Sequence, residues 1–562
     1  MLVDINNPGV VATYAHAIRN PIPSPGSLWM PLRLERFNNI EKYSKFDIAC
    51  KVAVSFLRDE LKKKDIHKIV DSAFTFDAPV VPLLPDENMY VCELFHGPTQ
   101  AFKDFGARFS AYVTKKLCGS GTVAAATSGD TGGAVVSACE DCGLNSLIFY
   151  PSGRISGYQL SQIVSTDHKL VTPVAVEGDF DSCQKAIKEC LEGKPGLYSG
   201  NSVNVLRLIA QIIYYFWIGT DYPVGYSVSV PSGNLGNVVA ALMAREMGAP
   251  IFKVIIAGNA NISLHGTAPN TLCKPTLATA MDVKVPSNLP RLNYLHPDWK
   301  NIDWIHAVSI QDWEITETLH HTFNKGHYLA DPHTAVGIAA ARAIDYGPEP
   351  MVILSTASPI KFRGTLERIL GPVYGPTQER SVPESDLSMR ESAPWKLSAG
   401  CPIVLTGMPG AGKTTLGNFL AARLGHECFD IDSIIEQEQE TTLAEIIRTR
   451  GNRGFIKIEK ETCLKTISDR TSKIISPGGS ASLIPEVAQA LRNHCLVVWL
   501  DVDIDTILLR MGNPVTRGVV MKPGQSFSDL FIERTEKYKQ NYDIRLSNSN
   551  FQLLLAFLKL WY

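Results

Sequence analysis

Between Asp86 and Pro359 short apolar runs alternate with helix-length amphipathic stretches, and this alternation constrains the fold more than any other feature of the chain. The runs are Thr122–Ala126, Ser146–Tyr150, Val171–Val176, Tyr226–Val230, Lys253–Ala257 and Met351–Thr356. Strands separated by helices return in the same direction, so the pattern predicts a parallel, doubly wound α/β sheet with ligands at the carboxyl ends of its strands. Two stretches at such ends are glycine-rich and lead into helices: Ser128-Gly-Asp-Thr-Gly-Gly133 and Pro231-Ser-Gly-Asn-Leu-Gly-Asn237. Backbone N–H groups in such loops can hold an anion.

The reactive group comes from a third stretch, His96-Gly-Pro-Thr-Gln-Ala-Phe-Lys-Asp-Phe-Gly-Ala-Arg-Phe109, where Lys103 stands between Phe102 and Phe105. Burial among aromatics disfavours the ammonium and leaves the neutral amine, the form that condenses with an aldehyde to give a Schiff base. A surface helix lysine is the plain alternative, and the two anion loops weigh against it.

These segments are joined, in order, by Gly178-Asp-Phe-Asp-Ser-Cys-Gln184, Asn201-Ser-Val-Asn-Val-Leu-Arg-Leu208, Met281-Asp-Val283, Pro286-Ser-Asn288 and Ser355-Thr-Ala-Ser-Pro-Ile-Lys-Phe362. Together they resemble threonine synthase, a pyridoxal-phosphate enzyme of the fold-type II group. The resemblance implies conversion of O-phosphohomoserine and water to threonine and phosphate, with Lys103 carrying the pyridoxal 5'-phosphate. The loop Ser232, Gly233, Asn234, Leu235, Gly236 and Asn237 would cradle the cofactor phosphate, and Thr356, with Ser355 as the alternative, would face the pyridine nitrogen. Ser128, Asp130 and Thr131 would meet the substrate's polar groups, with Arg154 and Asn201 as further contacts. Three positions depart from the family pattern: Ser27 replaces a glycine, Ser156-Gly157 replaces Ser-Pro, and Ser358 replaces a common histidine.

A net charge of −2 and the lack of a long basic run argue against nucleic-acid and polybasic membrane partners. Twelve scattered cysteines without a secretory signal point to reduced thiols in the cytoplasm, and the lone Cys139-x-x-Cys142 pair suits helix packing better than zinc. A monomer or small homo-oligomer acting on small molecules is expected.

At 562 residues the chain is long enough for several domains. We expect a helical region over 1–80, a catalytic domain over 81–376, a linker over 377–398 where proline-punctuated polar residues show little periodicity, and a further domain over 399–562. That last domain opens with the apolar run Ile403-Val-Leu-Thr406 entering Gly407-Met-Pro-Gly410-Ala-Gly412-Lys413-Thr414-Thr415, a complete P-loop between strand and helix.

The P-loop domain resembles shikimate kinase, which implies ATP and Mg2+. On that resemblance Lys413 would bridge the β- and γ-phosphates, Thr414 and Asp430 would hold the metal, and Asp432 would bind acceptor hydroxyls. Gly478 and Gly479 stand for a triple-glycine loop, Arg510 and Arg517 for an adenine contact and a lid arginine, and Arg534 for a carboxylate-binding arginine. The family's second carboxylate-binding arginine is replaced by Ile456, with Arg453 and Lys457 as possible substitutes. The acceptor is left open among shikimate, homoserine and none, the last being a regulatory nucleotide-binding module.

Overall fold

The computed structural model describes the chain apart from residues 165–169, 192–193, 262–272, 284, 374–383, 394–395, 398–399, 469–472, 512–518, 520, 523 and 562. The chain forms two compact units: Met1–Ile148, Arg154–Val171 and Gly193–Val382 in one, and Phe149–Gly153, Thr172–Glu192 and Pro383–Tyr562 in the other.

The first unit begins with strands β1 (Leu2–Asp4), β2 (Val11–Ala12) and β3 (Trp29–Pro31), in an antiparallel sheet ordered β2-β1-β3. This sheet adds short strands to the region expected to be helical over residues 1–80. Its strands are two or three residues long, too short to display a period of two, and what fixes them is burial of Leu2, Val3, Trp29 and Met30. Helices Lys45–Leu57 and Lys63–Ala73 follow as the periodicity predicts.

Ten strands follow in the sequence up to Ser355: β4 (Val80–Leu84), β5 (Met89–Glu93), β6 (Thr122–Ala126), β7 (Asn145–Pro151), β8 (Val171–Glu177), β9 (Leu197–Ser199), β10 (Tyr226–Pro231), β11 (Ile251–Asn259), β12 (Ile305–Ile310) and β13 (Met351–Ser355). A six-stranded sheet runs β12-β11-β10-β13-β5-β4, parallel throughout except for the edge strand β4. β6 pairs in parallel with β9. The predicted strands therefore all occur, and the sheet is parallel where the alternation demands it. Helix Leu206–Asp221 is apolar around nearly its whole circumference and is buried from Leu206 to Gly219, as a helix without a solvent face must be.

In the second unit β14 (Leu387–Arg390), β15 (Ile403–Thr406), β16 (Glu427–Asp430), β17 (Lys473–Ser476), β18 (Leu496–Asp501) and β19 (Ile544–Ser547) form, with β8, the order β16-β17-β15-β18-β19-β14-β8. The first five are parallel, and β14 runs antiparallel to β19 and parallel to β8. β14 lies inside the stretch expected to be a linker, which corrects that expectation. Leu387 and Met389 alternate with Ser388 and Arg390, and only the apolar pair is fully buried, a signal too short to stand out among prolines.

The contacts that hold β14 are specific. Arg390 stacks on Tyr542 at 4.5 Å, Tyr542 donates to the Glu177 carboxylate, and Ser385 Oγ donates to the Pro173 carbonyl at 2.6 Å. No helix among the described residues is long and apolar enough to cross a membrane.

Just beyond β14, Lys396 Nζ meets Asp543 Oδ2 at 2.7 Å with both side chains buried. Burial pushes the Asp543 carboxyl up and Lys396 opposes that rise. Lys396→Met leaves the carboxylate unpaired and should destabilise the second unit by about 3–5 kcal/mol near neutrality. The raised pKa means that the carboxylate form is the destabilising one, so the loss should shrink as pH falls and Asp543 protonates. Urea unfolding of the full chain at pH 7.5 and pH 5 checks both.

Candidate active site

Lys103 opens helix Lys103–Cys118, and backbone pairing fixes where it opens. Ala101 bridges Ala357, Phe102 N–H donates to the Thr356 carbonyl at 2.9 Å, and Ser358 N–H donates to the Gln100 carbonyl at 3.0 Å. Gln100 takes a left-handed φ of 58° to make this turn. The segment is locked by Asp104, whose carboxylate accepts from Thr99 N–H at 2.9 Å and Thr99 Oγ1 at 2.6 Å. Gly97 is required beside it, since a Cβ there would stand 2.5 Å from Asp104 Oδ2. Lys103 is thereby held against the segment that leaves the carboxyl end of β13.

Asp130, first residue of helix Asp130–Cys142, places Oδ2 at 3.6 Å from Lys103 Nζ. Its Oδ1 accepts from Lys361 Nζ at 2.8 Å and Gln159 Nε2 at 2.9 Å. Lys361 also donates to the Thr99 carbonyl at 2.7 Å, and its side chain is 0% exposed. Burial alone would raise the Asp130 carboxyl, but the Lys361 and Lys103 ammonium groups outweigh it and hold the group well below the usual carboxylate range.

Lys103 is pulled below the ordinary amine value, first by burial, while Asp130 opposes and the charges of Lys361 and Arg207 assist. Lys361 has two close acceptors and Lys103 has one distant one. The Lys103 ammonium is therefore held less firmly than an ordinary lysine's.

Loop 232–237 leaves the carboxyl end of β10, the strand beside β13, so the loop and Thr356 share one edge of the sheet. Ser232 N–H donates to the Ala257 carbonyl at 2.9 Å, Leu235 takes a left-handed φ of 59°, and Gly236 opens helix Gly236–Glu246. A Cβ on Gly233 would stand 3.0 Å from Met281 Cα, so the backbone approaches too closely there for a side chain. Asn234 accepts from Ser287, and Asn237 Oδ1 accepts from the Tyr214 and Tyr215 hydroxyls at 2.5 and 2.7 Å. Asn237 Nδ2 is buried without a hydrogen-bond partner among the described residues. Asn288 braces the loop by donating to the Asn234 carbonyl at 3.0 Å.

Among the remaining expected contacts, Ser128 precedes Gly129, whose N–H donates to Thr127 Oγ1 at 2.9 Å, and Thr131 follows Asp130 in the first turn of the helix. Asn201 uses its amide on both backbone groups of Ala126, at 2.9 and 2.7 Å, and so supports this loop. Arg154 is exposed in the turn after β7, and the structure does not bring it to Lys103. Ser355 Oγ is 2.9 Å from Thr334 Oγ1, which leaves the Thr356 hydroxyl as the one without a hydrogen-bond partner among the described residues.

In the second unit Gly407, Gly410 and Gly412 adopt φ of 141°, 83° and 98°, and Gly412 caps helix Lys413–Leu424. Lys413 Nζ curls back to the carbonyls of Gly407 and Met408 at 3.0 and 3.1 Å, and burial draws it down to about 8. Thr414 Oγ1 donates to Asp430 Oδ2 at 2.6 Å, Thr415 is exposed, and Arg510 reaches the Ala411 carbonyl at 3.4 Å. Arg517 lies outside the described residues.

Around Gly478 and Gly479 stand Asp432, Arg534 and Glu459, the last not anticipated from sequence. Lys361 was likewise missed. Its signal was a lysine beside a phenylalanine, Lys361-Phe362, a weaker form of the Phe102 and Phe105 flanking that singles out Lys103, and Glu459 lies one helical turn from the anomalous Ile456.

The family model for pyridoxal-phosphate dependent enzymes matches residues 77–357, and the architecture and lysine site are those of a fold-type II member of that class. The model for the carboxyl-terminal part of threonine synthase matches 334–393, and that for shikimate kinase matches 409–554. Threonine synthase of Haemophilus influenzae is 36% identical over 392 residues, covering 66% of this chain and 91% of that relative. The Escherichia coli enzyme is 35% identical over 383 residues, covering 64% and 88%. The crystal structure of threonine synthase from Escherichia coli matches with a TM-score of 0.64 at 31% identity, covering 70% of this chain and 97% of that one. The chain belongs to the threonine synthase family, and it carries a shikimate kinase-like P-loop domain at its carboxyl end.

Lys361→Met removes a like charge from Lys103 and leaves Asp130 to Lys103 alone; both changes raise the Lys103 pKa. The pH at which the apoenzyme takes up pyridoxal phosphate, read by borohydride trapping on the Lys103 peptide, should move alkaline by about one unit or more. Lys361→Arg keeps the charge and should restore most of the wild-type profile.

Proposed function

We propose that Lys103 is both the attachment point of pyridoxal phosphate and the base of threonine synthesis, and that the P-loop unit is an ATP-dependent kinase for a small hydroxyl-bearing acceptor. The first reading is carried by the two-lysine arrangement on Asp130, which favours the neutral form of the Lys103 amine at the carboxyl edge of the sheet.

The residues fit the cofactor. Loop 232–237 offers backbone donors, a helix amino terminus and the unpartnered Asn237 Nδ2 for an anion, and Thr356 offers a hydroxyl for the ring nitrogen. A hydroxyl partner there would leave that nitrogen neutral. When bound, the pyridoxal group supplies an electron sink for charge left at the substrate carbon.

The protein's own part is proton handling. The Lys103 amine removes the Cα proton and then a Cβ proton of O-phosphohomoserine as the Cγ–O bond breaks and phosphate departs; a proton is delivered to Cγ, water adds its hydroxyl at Cβ, and the Cα proton is returned. Asp130 cannot supply those protons, because it is held ionised, and its role is to orient the Lys103 amine. Ser128 and Thr131 present hydroxyls to the substrate. Arg154 is in a position to join them only if the turn after β7 moves.

For the second unit the carrying observation is the 2.6 Å contact of Thr414 with Asp430 beside Lys413. A hydroxyl and a carboxylate meeting at the amino end of the P-loop helix suit a hard cation such as Mg2+. Lys413, drawn down to about 8 by burial, would recover its full charge against a triphosphate. The alternative, nucleotide binding without transfer, requires no acceptor contacts, whereas Asp432, Glu459 and Arg534 gather charges of both signs around Gly478 and Gly479.

Lys103→Ala should abolish borohydride-fixed cofactor and lower threonine formation by at least about 10³-fold. Lys413→Ala should lower ADP release by about 10²–10³-fold while threonine formation from O-phosphohomoserine stays within twofold (about) of wild type. Retention of the fixed chromophore in the first variant, or of ADP release in the second, contradicts the corresponding assignment.

A further inference from the structure

Resting on the kinase reading above, we infer that the phosphoryl acceptor is a hydroxyl-bearing α-amino acid bound as its zwitterion, with its ammonium on Glu459 and its carboxylate on Arg534. The pocket has a mixed-charge layout that suits such a molecule. A Cβ on Gly478 would stand 2.4 Å from Glu459 Oε1 and 2.7 Å from Asp432 Oδ1, so the two carboxylates converge on one spot. A Cβ on the next residue, Gly479, would stand 3.0 Å from Arg534 Nη1, so a guanidinium lies one residue along the same loop. Tyr538 fixes that loop by donating to the Gly479 carbonyl at 2.5 Å.

Position 456 decides what the pocket lacks. Ile456 and Glu459 lie three residues apart on helix Leu443–Ser468 and so share a face, where a second cation facing the acceptor would be needed for a clamped carboxylate. Isoleucine supplies none. Arg453 and Lys457, which flank it, are both exposed. The pocket therefore has one arginine and two carboxylates where a doubly clamped acid would want the reverse.

The carboxylates themselves need a counter-charge. Glu459 is fully buried, accepts from Ser480 Oγ at 2.9 and 3.1 Å, and is faced by Asp432, Arg534 and Lys413. Asp432 accepts no hydrogen bond among the described residues and is faced by Lys413, Asp430 and Glu436. Burial lifts the Glu459 carboxyl to about 7. Lys413 partly balances them when the site is empty, but a bound triphosphate draws its charge away. A polyhydroxy acceptor brings only neutral hydroxyls to two neighbouring carboxylates, whereas an ammonium neutralises them.

In the transfer, the acceptor hydroxyl oxygen forms a bond to Pγ of ATP as the bond from Pγ to the β,γ-bridging oxygen breaks. The hydroxyl proton passes to Asp432, and ADP leaves with the electron pair of the broken bond. The product is the phosphate ester of a hydroxy amino acid, the class of compound that the synthase site consumes. Homoserine is the acceptor whose ester is O-phosphohomoserine.

The test uses the full chain with Mg-ATP and three acceptors: L-homoserine, N-acetyl-L-homoserine and shikimate, read by ADP release and product mass. Homoserine should be used with a kcat/KM at least about 100-fold above the other two. Glu459→Gln should raise KM for homoserine by about tenfold or more without a matching change in KM for ATP. Equal use of the N-acetyl compound, or a preference for shikimate, overturns the amino-acid reading and leaves the kinase reading standing. Nucleotide binding without ADP release on any acceptor, in a protein that still makes threonine, overturns the kinase reading and this inference with it.

Discussion

The Asp130 carboxylate, held between two lysines in a place that water scarcely reaches, is the interaction on which the synthase site depends. A single buried lysine beside a carboxylate would form an ion pair and keep its proton. A second lysine with better acceptors changes the outcome: Lys361 saturates Asp130 Oδ1 and the Thr99 carbonyl, leaving Lys103 a 3.6 Å contact and a nearby like charge. Everything around the pair serves to keep that asymmetry. Asp104 fixes Thr99, whose carbonyl receives Lys361, and Gln159 holds Asp130 from the other side.

Much of this could be read from sequence, and the reason is periodicity. Six strands between Thr122 and Ser355 are long enough, and apolar enough, to announce themselves, and the parallel sheet follows from the helices between them; the three-residue Leu197–Ser199 and the half-exposed Ile305–Ile310 carry too little pattern to do so. Glycine loops after strands then mark the ligand edge. Lys103 is legible because its neighbours are aromatic. Lys361 was not extracted, because its importance lies in whom it touches: Thr99 and Asp130 are distant in sequence and only the pairing of Gln100–Phe102 with Thr356–Ser358 brings them together. Asn201 and Arg154 illustrate the converse. Both are polar residues in the right segments, yet one is committed to the Ala126 backbone and the other faces solvent.

Strand β14 escaped sequence analysis for a different reason. Four residues with two apolar positions carry almost no pattern of their own, and the strand exists because β19 and β8 both offer it backbone partners. A segment that looks like a linker by composition is thus an interior strand by pairing, and Thr172–Glu192 of the synthase-like sequence belongs to the same compact unit as the P-loop chain. Composition reports what a segment prefers in isolation, and a strand hydrogen-bonded on both sides need not prefer anything strongly.

The two lysines that define the two sites solve opposite problems with the same physics. Burial lowers both Lys103 and Lys413, because an ammonium loses its hydration in either place. What differs is the charge each will meet. Lys103 faces an anion already claimed by Lys361, so its proton is held less firmly than an ordinary lysine's and the amine is more readily available as nucleophile and base. Lys413 rests on the backbone carbonyls of Gly407 and Met408, which neutralise nothing, and a triphosphate entering the loop would restore its charge at the moment it is needed. A buried lysine is therefore ambiguous by itself, and the residue that competes for its counter-ion decides whether it acts as a base or as a clamp.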